Sequence, residues 1–153
     1  MSNHLYDHVF APHEDNSKPF LIGETQTLSY ATFHELVNKL ARALIANGLK
    51  TGDRVAVQAA KSNTQLALYV ATIKAGGVYL PLNTSYTAHE LDYFISNAQP
   101  RLVVVDEKSK RAVTPIAEAQ GANLLTLNAD ESGTLPALAE QQVAQFKAVA
   151  RGS

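Results

Sequence analysis

The run from Ile73 to Asn83, IKAGGVYLPLN, constrains the fold more than any other stretch of this chain. Gly76 and Gly77 can take positive φ and carry no Cβ, so they stop a preceding helix and let its end pack closely on the next strand. Val78, Tyr79 and Leu80 then supply β-branched and aromatic bulk for a short strand. Pro81 has no N–H to give a ladder, which places it near the strand's end or at a sheet edge. A helix, a glycine stop, a short strand and the polar turn Asn83, Thr84, Ser85 make half of a βαβ unit. In such units ligands meet the loop that leaves the strand.

The pattern repeats on both sides of this junction. Short apolar runs at 54–59, 78–82, 101–106 and 123–127 read as strands, with helical periodicity between them. Phe33, Leu36, Val37, Leu40, Ala41, Leu44 and Ile45 form one helical stripe, capped by Ser29 or Thr32. Leu66, Tyr69, Val70 and Ile73 form a second. Thr87 with Glu90 has capping-box spacing ahead of the third, on Leu91, Phe94 and Ile95. A further helix is expected to begin at Thr114, with Pro115 in its first turn, and a last one to run from Leu135 to Phe146. The runs 19–23 and 26–30 suggest an antiparallel hairpin. The expected fold is therefore α/β: a mostly parallel sheet with helices on both faces and an N-terminal antiparallel hairpin. One unit is expected, with residues 1–18 as a peripheral arm, 19–127 as the core and 128–153 as a loop and terminal helix.

Composition excludes several classes. Thirteen Lys and Arg stand against fourteen Asp and Glu, which gives no field to draw nucleic acid or an anionic membrane. With no cysteine there is no disulfide, thiolate metal site or cysteine nucleophile. The opening MSNHLYDHVF lacks the features of a secretory signal, and no apolar run reaches the roughly 20 residues of a membrane span. A cytoplasmic protein is expected.

Catalytic motifs are missing from the sequence. Gly48 to Asp53 has glycine, lysine and threonine in the wrong order for a phosphate-binding P-loop, and Gly76-Gly77 alone is weak evidence for a dinucleotide site. No HExxH or GxSxG occurs, and the histidines lack metal spacing. His34 and His89 fall at helical positions expected to face solvent. Two places draw interest because they come after expected parallel strands. Lys61, Ser62 and Asn63 can open a helix whose free N–H groups would hold a phosphate, although ordinary capping explains them too. Asn83, Thr84, Ser85 and Tyr86 can line a pocket, or simply lead to the Thr87 cap. No metal ligand and no catalytic residue is assigned.

Three motifs in fixed order carry a resemblance: LSYATFHEL (28–36), GDRVAV (52–57) and IKAGGVYLPLN (73–83). Together with LDYFISNAQPRLVVVD (91–106), they resemble the opening of the adenylate-forming acyl-CoA synthetases, over most of residues 19–127. LPLNTSYTAHELDYF and MSNHLYD are particularly similar to malonyl-CoA synthetases. The resemblance implies an enzyme that uses ATP, magnesium and CoA to activate malonate or another small carboxylic acid. It also implies that the family's phosphate loop, magnesium ligand, ribose-binding aspartate and mobile lysine lie outside this sequence. The chain then reads as an N-terminal piece of that fold, inactive alone, with the remainder of the synthetase chain as its partner. The alternative is a stand-alone α/β module that binds a nucleotide or a partner without catalysis.

Overall fold

The computed structural model describes residues 3–14, 19–22 and 27–149. Four parallel strands form the sheet: β3 (Arg54–Gln58), β4 (Val78–Pro81), β5 (Leu102–Val105) and β6 (Asn123–Thr126), in the order β4-β3-β5-β6. A separate antiparallel pair joins β1 (Pro19–Ile22) to β2 (Thr27–Ser29), with a bulge between Pro19 and Leu21. The strands and the hairpin thus fall where the sequence places them. The hairpin's turn lies outside the described residues.

Alternation along the strands divides the core in two. Val55, Val57, Leu102, Val104 and Leu125 point to one face, under α2 (Tyr30–Ala46), α3 (Asn63–Lys74) and α6 (Thr134–Glu140). Ala56, Val103 and Val105 point to the other, under α4 (Ala88–Ala98) and α5 (Glu107–Ala119). Burial on both faces is why the strands read as continuous apolar runs. Full burial of a large aliphatic side chain such as Leu40 or Leu68 contributes about 1.5–3 kcal/mol.

Capping explains the helix starts. Ser29, rather than Thr32, caps α2 by accepting from the Thr32 amide at 3.1 Å. The capping box of Thr87 and Glu90 is present. At the glycine pair the two residues divide the work: Gly76 has φ +83°, whereas Gly77 needs closeness, since a Cβ there would meet Leu49 and Thr72 side chains at 3.2 Å. Pro81 also finds its place. Val78 and Leu82 donate to β3 from their amides, so the alternating Tyr79 and Pro81 face away from β3, and the missing N–H of Pro81 costs that ladder nothing.

Several expectations are corrected. Helix α5 begins seven residues before Thr114, because Asp106 caps it by accepting from the Ser109 amide at 2.8 Å. Pro115 sits inside the helix on its exposed side, so the carbonyl it leaves unbonded faces water. The last helix stops at Glu140, not Phe146. Beyond it the chain crosses α2 as an irregular strap, whose carbonyls at Ala144 and Gln145 accept from Asn38 and Arg42. On α3, Ala67, Leu68 and Ala71 are buried while Tyr69 is exposed. Small residues let α2 approach α3 closely, which shifts the buried stripe. His34 is buried at 3% exposure, not solvent-facing: it lies against α1 (His4–Val9), where Tyr6 meets it edge-on.

Candidate functional site

A doubly wound sheet offers one preferred crevice, at the C-terminal ends of the strands where the connections leave in opposite directions. Here the chain goes from β3 outward to β4 and then back across to β5, so the switch point lies between β3 and β5. Both flanking helices point their N-termini at it. Free N–H groups and the helix dipole would make each an anion site.

The chain itself fills both positions. At α3, Ser62 Oγ accepts from the Gln65 amide at 3.0 Å, and Glu131 Oε1 accepts from the Thr64 amide at 2.7 Å and Thr64 Oγ1 at 2.9 Å. At α5, Asn128 Oδ1 accepts from the Glu107 amide at 2.8 Å. Both caps come from the turn after β6, which is held by Asn128 to Ser132 bonds and has Glu131 at φ +67°. In that turn, hydrogen bonds from the Ser132 hydroxyl and amide hold the Asp130 carboxyl below its ordinary range. A groove of about 330 Å³ beside α3 is lined by Glu35, Glu131 and Glu140 with Lys39. A phosphate placed there would meet the Glu131 carboxylate where it needs free N–H groups. The residues present do not fit the phosphates of a nucleotide.

The candidate residues are placed accordingly. Lys61 is exposed, and Ser62 is the α3 cap. Asn83 Oδ1 accepts from the Ser85 amide at 2.9 Å and hydroxyl at 2.7 Å, closing a local polar turn. Thr84 is exposed. Tyr86 stacks on Phe94 with ring centres 4.8 Å apart. Gln58, which the sequence did not single out, reaches the second of these groups. Its Nε2 donates to the Asn83 carbonyl at 2.9 Å, while its Oε1 is buried without a hydrogen-bond partner. A polar residue closing an apolar strand was the available signal. Gly76 and Gly77 stand at the opposite end of the sheet, before β4, which removes them from any site at the strands' C-terminal ends.

A second polar cluster lies outside the sheet, between α1, α2 and α3. Lys74 is 1% exposed. Its Nζ donates to Glu14 Oε1 at 3.0 Å and Asn38 Oδ1 at 2.6 Å, and it sits 4.5 Å from the Tyr6 ring centre. Tyr6 OH donates to the same Glu14 oxygen and lies 3.3 Å from His34 Nδ1. Burial lowers the Lys74 pKa against the opposing pull of Glu14. Burial would raise Glu14, but hydrogen bonds from Tyr6 and Lys74, with the Lys74 and His34 charges, bring it below its ordinary value. The Tyr6 phenol is pushed far up by burial and by Glu14. Every group found here has a partner, and the cluster fastens α1 to the core. Among the described residues no three His, Asp or Glu side chains form a metal site, and no helix is long and apolar enough to cross a membrane.

The AMP-binding enzyme family model matches residues 10–151. The phenylacetyl-CoA ligase epaB of Aspergillus niger is 36% identical over 107 residues, covering 68% of this chain and 20% of the relative. The ATP-bound crystal structure of MatB from Rhodopseudomonas palustris superposes with a TM-score of 0.95 at 41% identity, over 99% of this chain and 30% of that one. A benzoate CoA ligase from Burkholderia xenovorans LB400, at 20% identity and a TM-score of 0.81, shares the fold. The described fold is that of the N-terminal portion of the adenylate-forming enzymes. Gly76-Gly77, the parallel sheet and the self-capped helices are thus features of a chain that belongs to the AMP-binding enzyme family.

Proposed function

We propose that this chain is the N-terminal scaffold of an ATP-dependent acid–CoA ligase whose acid is malonate. The observation that carries the reading is the match to MatB over 99% of this chain at 41% identity. It agrees with the likeness of LPLNTSYTAHELDYF to malonyl-CoA synthetases. The reaction of the whole enzyme has two steps. A malonate oxygen attacks the α-phosphorus of ATP, giving malonyl-adenylate and pyrophosphate; the CoA sulfur then attacks the acyl carbon and displaces AMP. Electrostatic stabilisation of the transferring phosphorus is the main demand on such an enzyme. Among the described residues nothing meets that demand, because the two best anion positions are taken by Glu131 and Asn128. The same occupancy weighs against a stand-alone nucleotide-binding module. In the proposal this chain supplies a rigid sheet, and the remainder of the synthetase chain supplies the ATP, magnesium and CoA groups. We place the enzyme in the cytoplasm, where ATP and CoA meet.

The test is pyrophosphate exchange into ATP by the native gene product purified from its own cells, with malonate, acetate or benzoate as acid. Exchange that depends on malonate is expected. Exchange with benzoate but not malonate would overturn the acid, and none with any acid would overturn the ligase reading.

A further inference from the structure

Two asparagines beside the C-terminal end of α3 each hold two segments at once. Asn38, on α2, accepts from Lys74 Nζ at 2.6 Å through Oδ1 and donates from Nδ2 to the Ala144 carbonyl at 2.8 Å. One side chain thus joins the buried Lys74 cluster to the strap. Asn3 is 6% exposed. Its Oδ1 caps α1 by accepting from the Tyr6 amide, while its Nδ2 donates to the Ile73 carbonyl at 2.7 Å and the Val149 carbonyl at 3.3 Å.

Lys74 is the common anchor. Its ammonium donates to Glu14, to which Tyr6 of α1 also donates, and its carbonyl accepts from the Val149 amide at 2.8 Å. The middle of the strap is fixed by Arg42, whose Nε donates to the Gln145 carbonyl and whose guanidinium lies 5.8 Å from the Phe146 ring centre. A cavity of about 430 Å³ borders the same groups: Glu14 and His34 line it together with Ala144, Gln145 and Phe146.

This arrangement makes partial release unfavourable. Lys74 is 1% exposed, and its ammonium is tolerated there only while acceptors surround it. If α1 lifts, Glu14 leaves with it, the ammonium turns toward water, and Asn38 loses the bond that aims its amide at Ala144. If the strap lifts, Asn38 is freed to rotate, water enters beside Lys74, and the bond to Glu14 weakens.

We propose that α1 and the strap form one latch, closed and released together, with Lys74 as its anchor and the two asparagines as its links. Such coupling is reciprocal: a change confined to either segment shifts the opening of both by the same factor. The latch is independent of which acid the whole enzyme activates.

The experiment measures amide hydrogen exchange in the native gene product and in two variants, each altered on one side. Arg42→Ala removes bonds that hold the strap, and Tyr6→Phe removes the bond from α1 to Glu14. The probes are the Phe10 amide, which donates to the Tyr6 carbonyl, the Val149 amide, and the Val104 amide inside the sheet. Each substitution should speed exchange at both Phe10 and Val149 by the same factor, roughly fivefold for one lost hydrogen bond, and leave Val104 unchanged. Exchange that keeps its native rate in the segment opposite the substitution overturns the latch. Acceleration of Val104 by the same factor also overturns it, because the two segments would then open only with the whole fold.

Discussion

The two sides of the central strand β3 differ in how the chain treats them. Toward β5, the turn 128–132 caps two helix N-termini at once, with Glu131 on α3 and Asn128 on α5. Toward β4, Gln58 keeps a buried oxygen without a partner, Asn83 and Ser85 bond mainly to one another, and among the described residues no strand pairs beyond β4. The side that would bind a nucleotide in many doubly wound folds is here closed by structure, and the side that looks like plain scaffold keeps the unsatisfied group. A fold family's usual ligand crevice is thus a poor guide when a neighbouring loop already satisfies it; unsatisfied groups are the better one.

Substitutions should separate the two sides. The largest effect belongs to the clamp that fastens α1 to the core. Glu14→Ala leaves the Lys74 ammonium buried with Asn38 as its remaining hydrogen-bond acceptor, and should cost about 2 kcal/mol in urea unfolding, less than for a wholly buried pair because Glu14 is partly exposed. Lys74→Met should cost about 1 kcal/mol or less, since it removes the charge rather than stranding it. Equal costs would show that packing, not charge, holds the clamp. The clamp is also acid-sensitive. The Glu14 pKa is lowered on folding, so its contribution is complete above the unfolded value of 4.5 and is lost as pH falls through the lower folded value. In Glu14→Ala that part of the acid transition should be absent.

On the closed side, Glu131→Ala should cost about 1–2 kcal/mol by freeing the first turn of α3. Glu131→Gly should cost less than alanine despite the same lost cap, because φ +67° suits glycine. A cost near zero for alanine would reopen the crevice as a ligand site. On the open side, Gln58→Leu should change stability by no more than about 1 kcal/mol, because the substitution also removes a buried oxygen that lacks a partner. A loss above about 2 kcal/mol would mean that the oxygen is bonded in solution. The smallest effects belong to Lys61→Ala and Ser85→Ala, each within about 0.5 kcal/mol. Pyrophosphate titrated into this chain should show no saturable binding by calorimetry, and binding that Lys61→Ala weakens would restore the phosphate reading of that loop.

Much of the fold was legible because it is written locally. Leu102 to Val105 offers an unbroken apolar run between Arg101 and Asp106, and Thr87 with Glu90 announces a helix start by spacing alone. What escaped depends on partners distant in sequence. Lys74 reads as an ordinary basic residue in a last helical turn, and only Glu14 and Asn38, brought by other elements, make its burial tolerable. His34 reads as solvent-facing because its cover is α1, not the sheet. Glu131 reads as a loop carboxylate, and its role as a helix cap spans 67 residues of chain. The strap after Glu140 keeps helical periodicity in sequence, yet α2 side chains hold its carbonyls in another conformation.

The central claim is that this chain is scaffold without the catalytic parts of its family. Its most direct test is malonate-dependent pyrophosphate exchange by the purified 153-residue chain alone, run beside circular dichroism to confirm folding. No exchange above a protein-free blank is expected. Exchange that rises with chain concentration and requires malonate would contradict the claim.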